Sequence, residues 1–483
     1  MKNNDFRNSF AMDRRSFLLR AGFGLGSLSL AELLGSPGTS TAWAGRQSAR
    51  PASGLHFPAR AKRVIYMHML GALSQCDTFD YKPMLEKMHG EELPPSVRGT
   101  RRLSAMVAGQ TSYPLVKSLG KFAQHGQSGA WVSDLMPFTA KVVDDLCFIK
   151  SVNSEQVNHD PASKYLHSGF HLSGRPSEGA WVNYALGSAN DSLPTFVVLQ
   201  SGSALGVSND AGAYGAGFLP SQYQGVEFRS GDQPVPYVVN PSGVTADDRR
   251  EMIDLISSLS KSQHEVSNDP EILSKVSQYE MSYRMQTSVP EVADISREPQ
   301  SVLDLYGADV KRPGTFAQNC LLARRLAERN VRFITVFNLG WDAHTGIAGR
   351  LPMNCRGVDQ GAAALVTDLK QHGLLDDTLV VFATEFGRTS FAQGTLTSSF
   401  GRDHHGGNFT FWLAGAGVRP GFTYGESDDF SYNVVKDPVS IHDFQATLLY
   451  ILGIDHERLT FRYQGRDFRL TDVAGRVVKE ILA

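Results

Sequence analysis

The chain's polarity pattern is one of short apolar runs separated by longer amphipathic stretches. The runs at 64–70 (VIYMHML), 146–151 (LCFIKS), 196–200 (FVVLQ), 333–337 (FITVF), 379–383 (LVVFA) and 409–413 (FTFWL) are rich in β-branched and aromatic residues. Their near-continuous apolarity predicts strands buried on both faces. Between them the spacing turns helical. Asp160-Pro161 opens a helix that ends near Gly169, and Pro176-Ser177-Glu178 opens one that runs to Leu186. Two polar-faced helices are predicted over 245–265 and 270–286, the first led by a Thr245…Asp248 capping box. Others are predicted over 134–145, 315–329, 354–372 and 439–452. Strands alternating with helices argue an α/β fold, a parallel or mixed sheet with helices on both faces.

Breaks in the pattern set the expected organisation. Residues 62–483 read as one domain, with 201–300 an insertion or cap that covers or flanks a site. Residues 45–61 (GRQSARPASGLHFPARA) read as a linker. Ahead of it, Arg14-Arg15 precedes a Gly-softened apolar run and Ala42-Trp43-Ala44, the layout of a twin-arginine export signal over 1–44. This predicts transport by the twin-arginine machinery to the periplasm or outside the cell. No later stretch holds eighteen uninterrupted apolar residues, so no membrane span is expected after cleavage. The 483 residues, 41% hydrophobic and 20% charged, suit a globular protein, and a net charge of −2 leaves no footprint for nucleic acid. Cys76, Cys147, Cys320 and Cys355 allow three disulfide pairings, none of them favoured, and are too few for a disulfide scaffold.

The candidate chemistry sits where strands end. Asp77 follows the first strand, Asn158-His159 the second, Asp342 with His344 the 333–337 run, and Glu385 the 379–383 run, while Asp403-His404-His405 enters the last. Each has an ordinary alternative, since a strand-end Asp often caps the next helix. Their repetition at one end of successive strands favours a shared cleft, which a doubly wound sheet would form at that edge. Asp77, Asp342, His344, Glu385, His404 and His405 are therefore candidate ligands of a divalent ion, with Zn, Mn, Mg or Ca all open. Asn158 and His159 precede a helix N-terminus, which favours an anion. Arg175 or Arg388 would clamp such an anion through paired donors, although a surface ion pair is the commoner role. His68, inside the first strand, reads as a core histidine.

The stretches GALSQCDTFDYKP, NHDPASKYLHSGFHLSGRPSEG, GWDAH, TEFGRT, GRDHHGGNFTFWLAGAGVRPG and HERLTFRYQGRDFRLTD resemble the bacterial family called domain of unknown function 1501. The resemblance extends over nearly the whole chain after residue 44. It implies an alkaline phosphatase-like, doubly wound mixed sheet, the scaffold of sulfatases, phosphodiesterases and phosphomutases. On that pattern Asp77 is the ligand after the first strand, and His159 stands at the nucleophile position opening a helix. Asp342 with His344 and one of His404 or His405 are further ligands. Two departures follow. No hydroxyl or thiol occupies the nucleophile position, with Ser163 one turn further on. Phe386 replaces an expected ligand in Glu385-Phe386-Gly387.

Two functions are expected from this. One is an exported metal-dependent hydrolase of phosphate or sulfate esters, with metal-activated water or His159 attacking the ester. Its substrate would be a small anionic ester or a sulfated or phosphorylated glycan. The alternative is a non-catalytic metal- or glycan-binding protein of the envelope on a degenerate hydrolase scaffold.

Overall fold

A computed structural model describes residues 55–100, 103–202, 211–229, 234–236 and 238–483. The expected export signal and residues 45–54 of the linker lie outside the described residues. Among the described residues nine strands form the main sheet: β1 (Arg63–Leu70), β2 (Leu146–Asn153), β3 (Phe196–Gly202), β4 (Val226–Phe228), β5 (Phe333–Leu339), β6 (Thr378–Ala383), β7 (Phe409–Ala414), β8 (Phe422–Tyr424) and β9 (Val439–Ser440). Their order is β8-β2-β7-β6-β1-β5-β3-β4, with β9 also beside β2. β7 runs antiparallel to β6 and β2, and the other pairs are parallel, so the sheet is mixed. The central strand β1 is buried along its whole length, with Val64 in register with Phe333 of β5 and Leu379 of β6.

Alternation along β1 feeds two cores. Ile65, Met67 and Met69 pack with α6 (Phe316–Glu328) and α7 (Ile347–Gln371) on one face. Val64, Tyr66 and Leu70 pack with α1 (His159–Ser168), α2 (Glu178–Leu186) and α8 (Ile441–Ile451) on the other. This is the α/β architecture read from the polarity pattern, a mixed sheet with helices on both faces. Residues 201–300 add the edge strand β4 and two mutually packed helices, α3 (Ala246–Ser267) and α4 (Pro270–Ala293), and the short α5 (Gln300–Tyr306) follows them. The Thr245/Asp248 capping box is formed, and α4 buries Met285, Val289 and Val292 in the first core. Among the described residues no helix is long and apolar enough to cross a membrane.

The helix expected over 134–145 is instead two single turns, Thr139–Lys141 and Val143–Asp145. Pro137 has no N–H to give, and the Asp359 carboxylate takes the amides of Phe138 and Thr139 at 2.6 and 2.8 Å, so the helical ladder has no donors there. The helix expected from residue 354 starts at Ile347, after Gly346 turns the chain at φ 62°. All four cysteines are buried and free, which removes the disulfide pairings.

Candidate metal centre

Three connections at the carboxyl ends of the central strands carry the site. Asp342 and His344 follow β5, Glu385 follows β6, and His404 lies on a two-residue strand paired with Gly387–Arg388. His159, the first residue of α1, faces them from the loop after β2. Gly71, at φ 113°, lets β1 end against this cluster, since a Cβ there would meet the Asp342 amide at 2.6 Å. Gly401 has a similar role, because a Cβ would collide with the His344 backbone.

The four side chains His159, Asp342, His344 and His404 each bring one ligand-type atom, all within 4.8 Å of one another. The Nε2 atoms of His159, His344 and His404 lie 3.1, 2.8 and 3.2 Å from one oxygen, Asp342 Oδ1. The opposite ring nitrogens all face oxygen acceptors. His159 Nδ1 lies 2.6 Å from Glu385 Oε1, His344 Nδ1 2.5 Å from Gln393 Oε1, and His404 Nδ1 2.7 Å from the Val157 carbonyl. In a neutral imidazole one nitrogen donates and the other accepts. With each ring neutral and its Nδ1–H directed outward, three Nε2 lone pairs would face the carboxylate oxygen with no proton among them. Arg388 Nη2 donates to the same oxygen at 2.6 Å, so even protonated imidazoles would crowd its two lone pairs. His159 Nε2 is buried and makes no hydrogen bond despite its 3.1 Å approach, because the direction is wrong. A cation resolves this arrangement. The residues fit one: three imidazoles held by outer acceptors and one carboxylate are a borderline donor set suited to zinc or manganese.

Burial lowers the His159 imidazole, but the facing Asp342 and Glu385 carboxylates outweigh it and raise it above its ordinary value. Burial would raise the Asp342 carboxyl, but the facing His159, His344 and His404 rings and the Arg388 charge hold it far below the carboxylate range. Burial would likewise raise Glu385, and hydrogen bonds from His159 and His68 hold it well below its ordinary value. Burial lowers the His404 imidazole, which keeps it neutral, as a ligand must be.

The other residues singled out in the sequence are placed as follows. Glu385 touches His159 rather than the space between the four donors, and also accepts from the Gly71 amide at 2.8 Å. Asp77 forms a fully buried pair with Arg402 at 2.8 and 3.0 Å and accepts from Ser74 and the Leu119 amide, so its oxygens are already engaged. His405 points the opposite way from His404, with Nε2 2.5 Å from the Tyr432 carbonyl and its ring stacked on Tyr432. Arg388 is fully buried and hydrogen-bonded to the carbonyls of Gly71, Ala72 and Arg402 as well as to Asp342. Arg175 lies over the Phe170 and Phe468 rings, 3.6 Å from Asp472, none of which belongs to the cluster. Asn158 is exposed at the start of α1 and makes no capping bond there. Sequence reasoning missed Gln393, which holds His344, and it passed over His68 as core. His68 Nε2 lies 3.1 Å from Glu385 Oε2.

The model of the family described as "Protein of unknown function (DUF1501)" matches residues 61–482. The chain belongs to this family. No curated protein matches this DUF1501 chain. Among solved structures it is similar to a sulfatase from Pseudoalteromonas sp., at 14% identity, 67% of this chain, 63% of that one and TM-score 0.30. The chain thus spans less than two thirds of that sulfatase. It is also similar to a phosphonate monoester hydrolase from Silicibacter pomeroyi (12%, 72% and 71% covered, TM-score 0.31) and to alkaline phosphatase from the Antarctic bacterium TAB5 (12%, 83% and 100% covered, TM-score 0.33). Likenesses this distant carry no weight for activity.

Proposed function

We propose that the DUF1501 chain is an exported metal-dependent hydrolase of phosphate or sulfate esters, with its ion held by His159, Asp342, His344 and His404. The observation that carries this reading is the convergence of three Nε2 atoms on one carboxylate oxygen. A bound divalent ion would supply an activated water and polarise the ester oxygen. The chain's own residues do the rest. Glu385, Gln393 and the Val157 carbonyl fix the three rings, and Arg388 holds Asp342 in place from below. The side chains of Asp342 and His344 keep 17% and 18% of their surface, so one side of the cluster is open to an incoming ligand, unlike a closed structural site. With both ring nitrogens of His159 engaged toward Glu385 and Asp342, its role in this reading is ligand rather than nucleophile.

The test is metal content of the native protein together with a screen of phosphate mono-, di- and sulfate esters, repeated on His159→Ala. The variant is expected to lose metal affinity by at least the roughly 10–100-fold typical of weaker perturbations, and turnover with it. Retained metal with lost turnover would make His159 the nucleophile. Metal without turnover in the unmutated protein would favour the non-catalytic binding protein of the envelope. Unchanged metal and turnover in the variant would overturn the placement of the site.

Export is the second component of the proposal and rests on Arg14-Arg15, the apolar run and Ala42-Trp43-Ala44. Changing both arginines to lysine is expected to leave the full-length precursor inside the cell. Processed protein outside the inner membrane in that variant would refute twin-arginine transport.

A further inference from the structure

Behind the centre lies a second set of ionisable groups that the proposed chemistry does not use. His68 on β1, His167 in the last turn of α1 and Glu178 at the start of α2 are each buried to 1% exposure or less. They continue the contact between His159 and Glu385. His68 Nε2 lies 3.1 Å from Glu385 Oε2, His68 Nδ1 2.9 Å from His167 Nε2, and His167 Nδ1 2.8 Å from Glu178 Oε1. The surroundings are dry and aromatic, with the Tyr66 ring 5.1 Å from His167 and the Phe337 ring 5.4 Å from both His68 and His167. Packing alone would be better served by apolar side chains, since buried ionisable groups bring little net stability.

We propose that Glu178 and His167 are positioning residues for the metal centre, setting the tautomer and orientation of His159 through His68 and Glu385. This rests on the metal reading above and extends it across the sheet.

The direction of the chain follows from counting hydrogens. Glu385 as a carboxylate can only accept, so it takes Nδ1–H of His159 and Nε2–H of His68. His68 then has only a lone pair at Nδ1, and His167 must donate to it from Nε2. That leaves His167 Nδ1 as an acceptor facing Glu178 Oε1. Four contacts need four hydrogens, whereas three neutral imidazoles and two carboxylates bring three. The fourth hydrogen is therefore held on Glu178, the member farthest from the centre, which donates to His167. Burial pushes the Glu178 carboxyl up, only partly offset by the hydrogen bond and charge of His167. Its second oxygen, Oε2, has no hydrogen-bond partner, as expected of a neutral acid rather than a carboxylate. Every bond then points toward Glu385, and His159 keeps Nε2 free for the ion.

A neutral donor at position 178 is what matters, so the amide should replace the acid. Cobalt(II) titrations of the full chain are expected to give Glu178→Gln the unmutated affinity, because its NH2 donates to His167 as the acid does. Glu178→Leu is expected to bind cobalt about 10-fold more weakly, at the low end of losses from outer partners. The metal-free melting temperature of both variants identifies any general loss of stability. Equal affinity in Leu and unmutated proteins, or loss in Gln equal to that in Leu, would overturn the proposal.

Should the Leu variant not fold, nitrogen-15 spectra of the histidines in the unmutated, metal-free protein decide. The expected pattern is Nε2–H on His68 and His167 and Nδ1–H on His159. An imidazolium at His167 or the opposite tautomer at His68 would refute the chain. Absence of cobalt binding in the unmutated protein would instead defeat the metal reading, and the spectra would still decide the direction of the hydrogen bonds.

Discussion

Asp342→Asn is expected to strip the centre of its ion and to lower stability as well, since the buried Arg388 loses its counter-charge. The amide has nearly the shape of the carboxylate, and Arg388 keeps the carbonyls of Gly71, Ala72, Arg402 and Trp341 when its anionic partner is gone. What disappears is the one negative charge among the four donors. Affinity for zinc or cobalt should fall by more than about 100-fold, beyond the range for outer partners, which is upwards of about 2.7 kcal/mol. The check is a metal titration paired with melting curves. Chelator should lower the melting temperature of the unmutated protein, because an ion bound only by the folded state stabilises it. It should leave the variant's curve where it was. An Asn variant that binds metal as tightly as the unmutated chain would show that Asp342 is not a ligand.

Asp77→Leu has the opposite profile, a large effect on folding and little on the ion. Asp77 and Arg402 pair with both side chains fully buried, and Arg402 also holds the carbonyls of Val116, Lys117 and Thr389. Removing the carboxylate leaves a guanidinium in the interior without its counter-charge, a change that typically costs about 3–5 kcal/mol. Adding Arg402→Met should return much of that loss, as replacing both members of a buried pair often does. Urea midpoints of the two single variants and the double would measure the coupling. A loss under about 1 kcal/mol for Asp77→Leu would mean that the pair is not the buried lock described here. Metal content that fell with Asp77 in a still-folded protein would restore it as a ligand.

The six longest strands were legible because each is a buried apolar run, and their order of appearance with helices between them fixed the class. The false helix at 134–145 had acceptable periodicity, and only the distant Asp359 carboxylate, supplied by α7, shows why the chain turns differently there. At the site, Asp342 and His344 stood out as a D-x-H pair at a strand end. The choice between His404 and His405 was not legible. On a two-residue strand successive side chains leave on opposite sides, and which side faces Asp342 depends on how the strand pairs with Gly387–Arg388. Glu385 was visible as a strand-end carboxylate, but one hydrogen bond separates a ligand from the group that orients a ligand. His167 and Glu178 carried no usable signal, since their meaning comes from a contact between α1, α2 and β1. Asp77 shows the converse error, in which the right residue type at the right strand end is spent on an arginine 325 positions away.

His159, Asp342, His344 and His404 are contributed by three separate connections, those that follow β2, β5 and β6. Asp342, His344 and His404 share the stretch that runs from β5 through β6 toward β7, but the full donor set forms only when α1 brings in His159 from much earlier in the chain. On the proposed reading an ion would be held by all four donors only once the chain has folded. The selection of the metal would then be made wherever the chain completes its folding, by whichever suitable ion is free there at that moment. Two cells producing the same sequence with different free-metal pools could release it carrying different ions, and the protein purified from a foreign host would report the host's metal economy as much as its own preference.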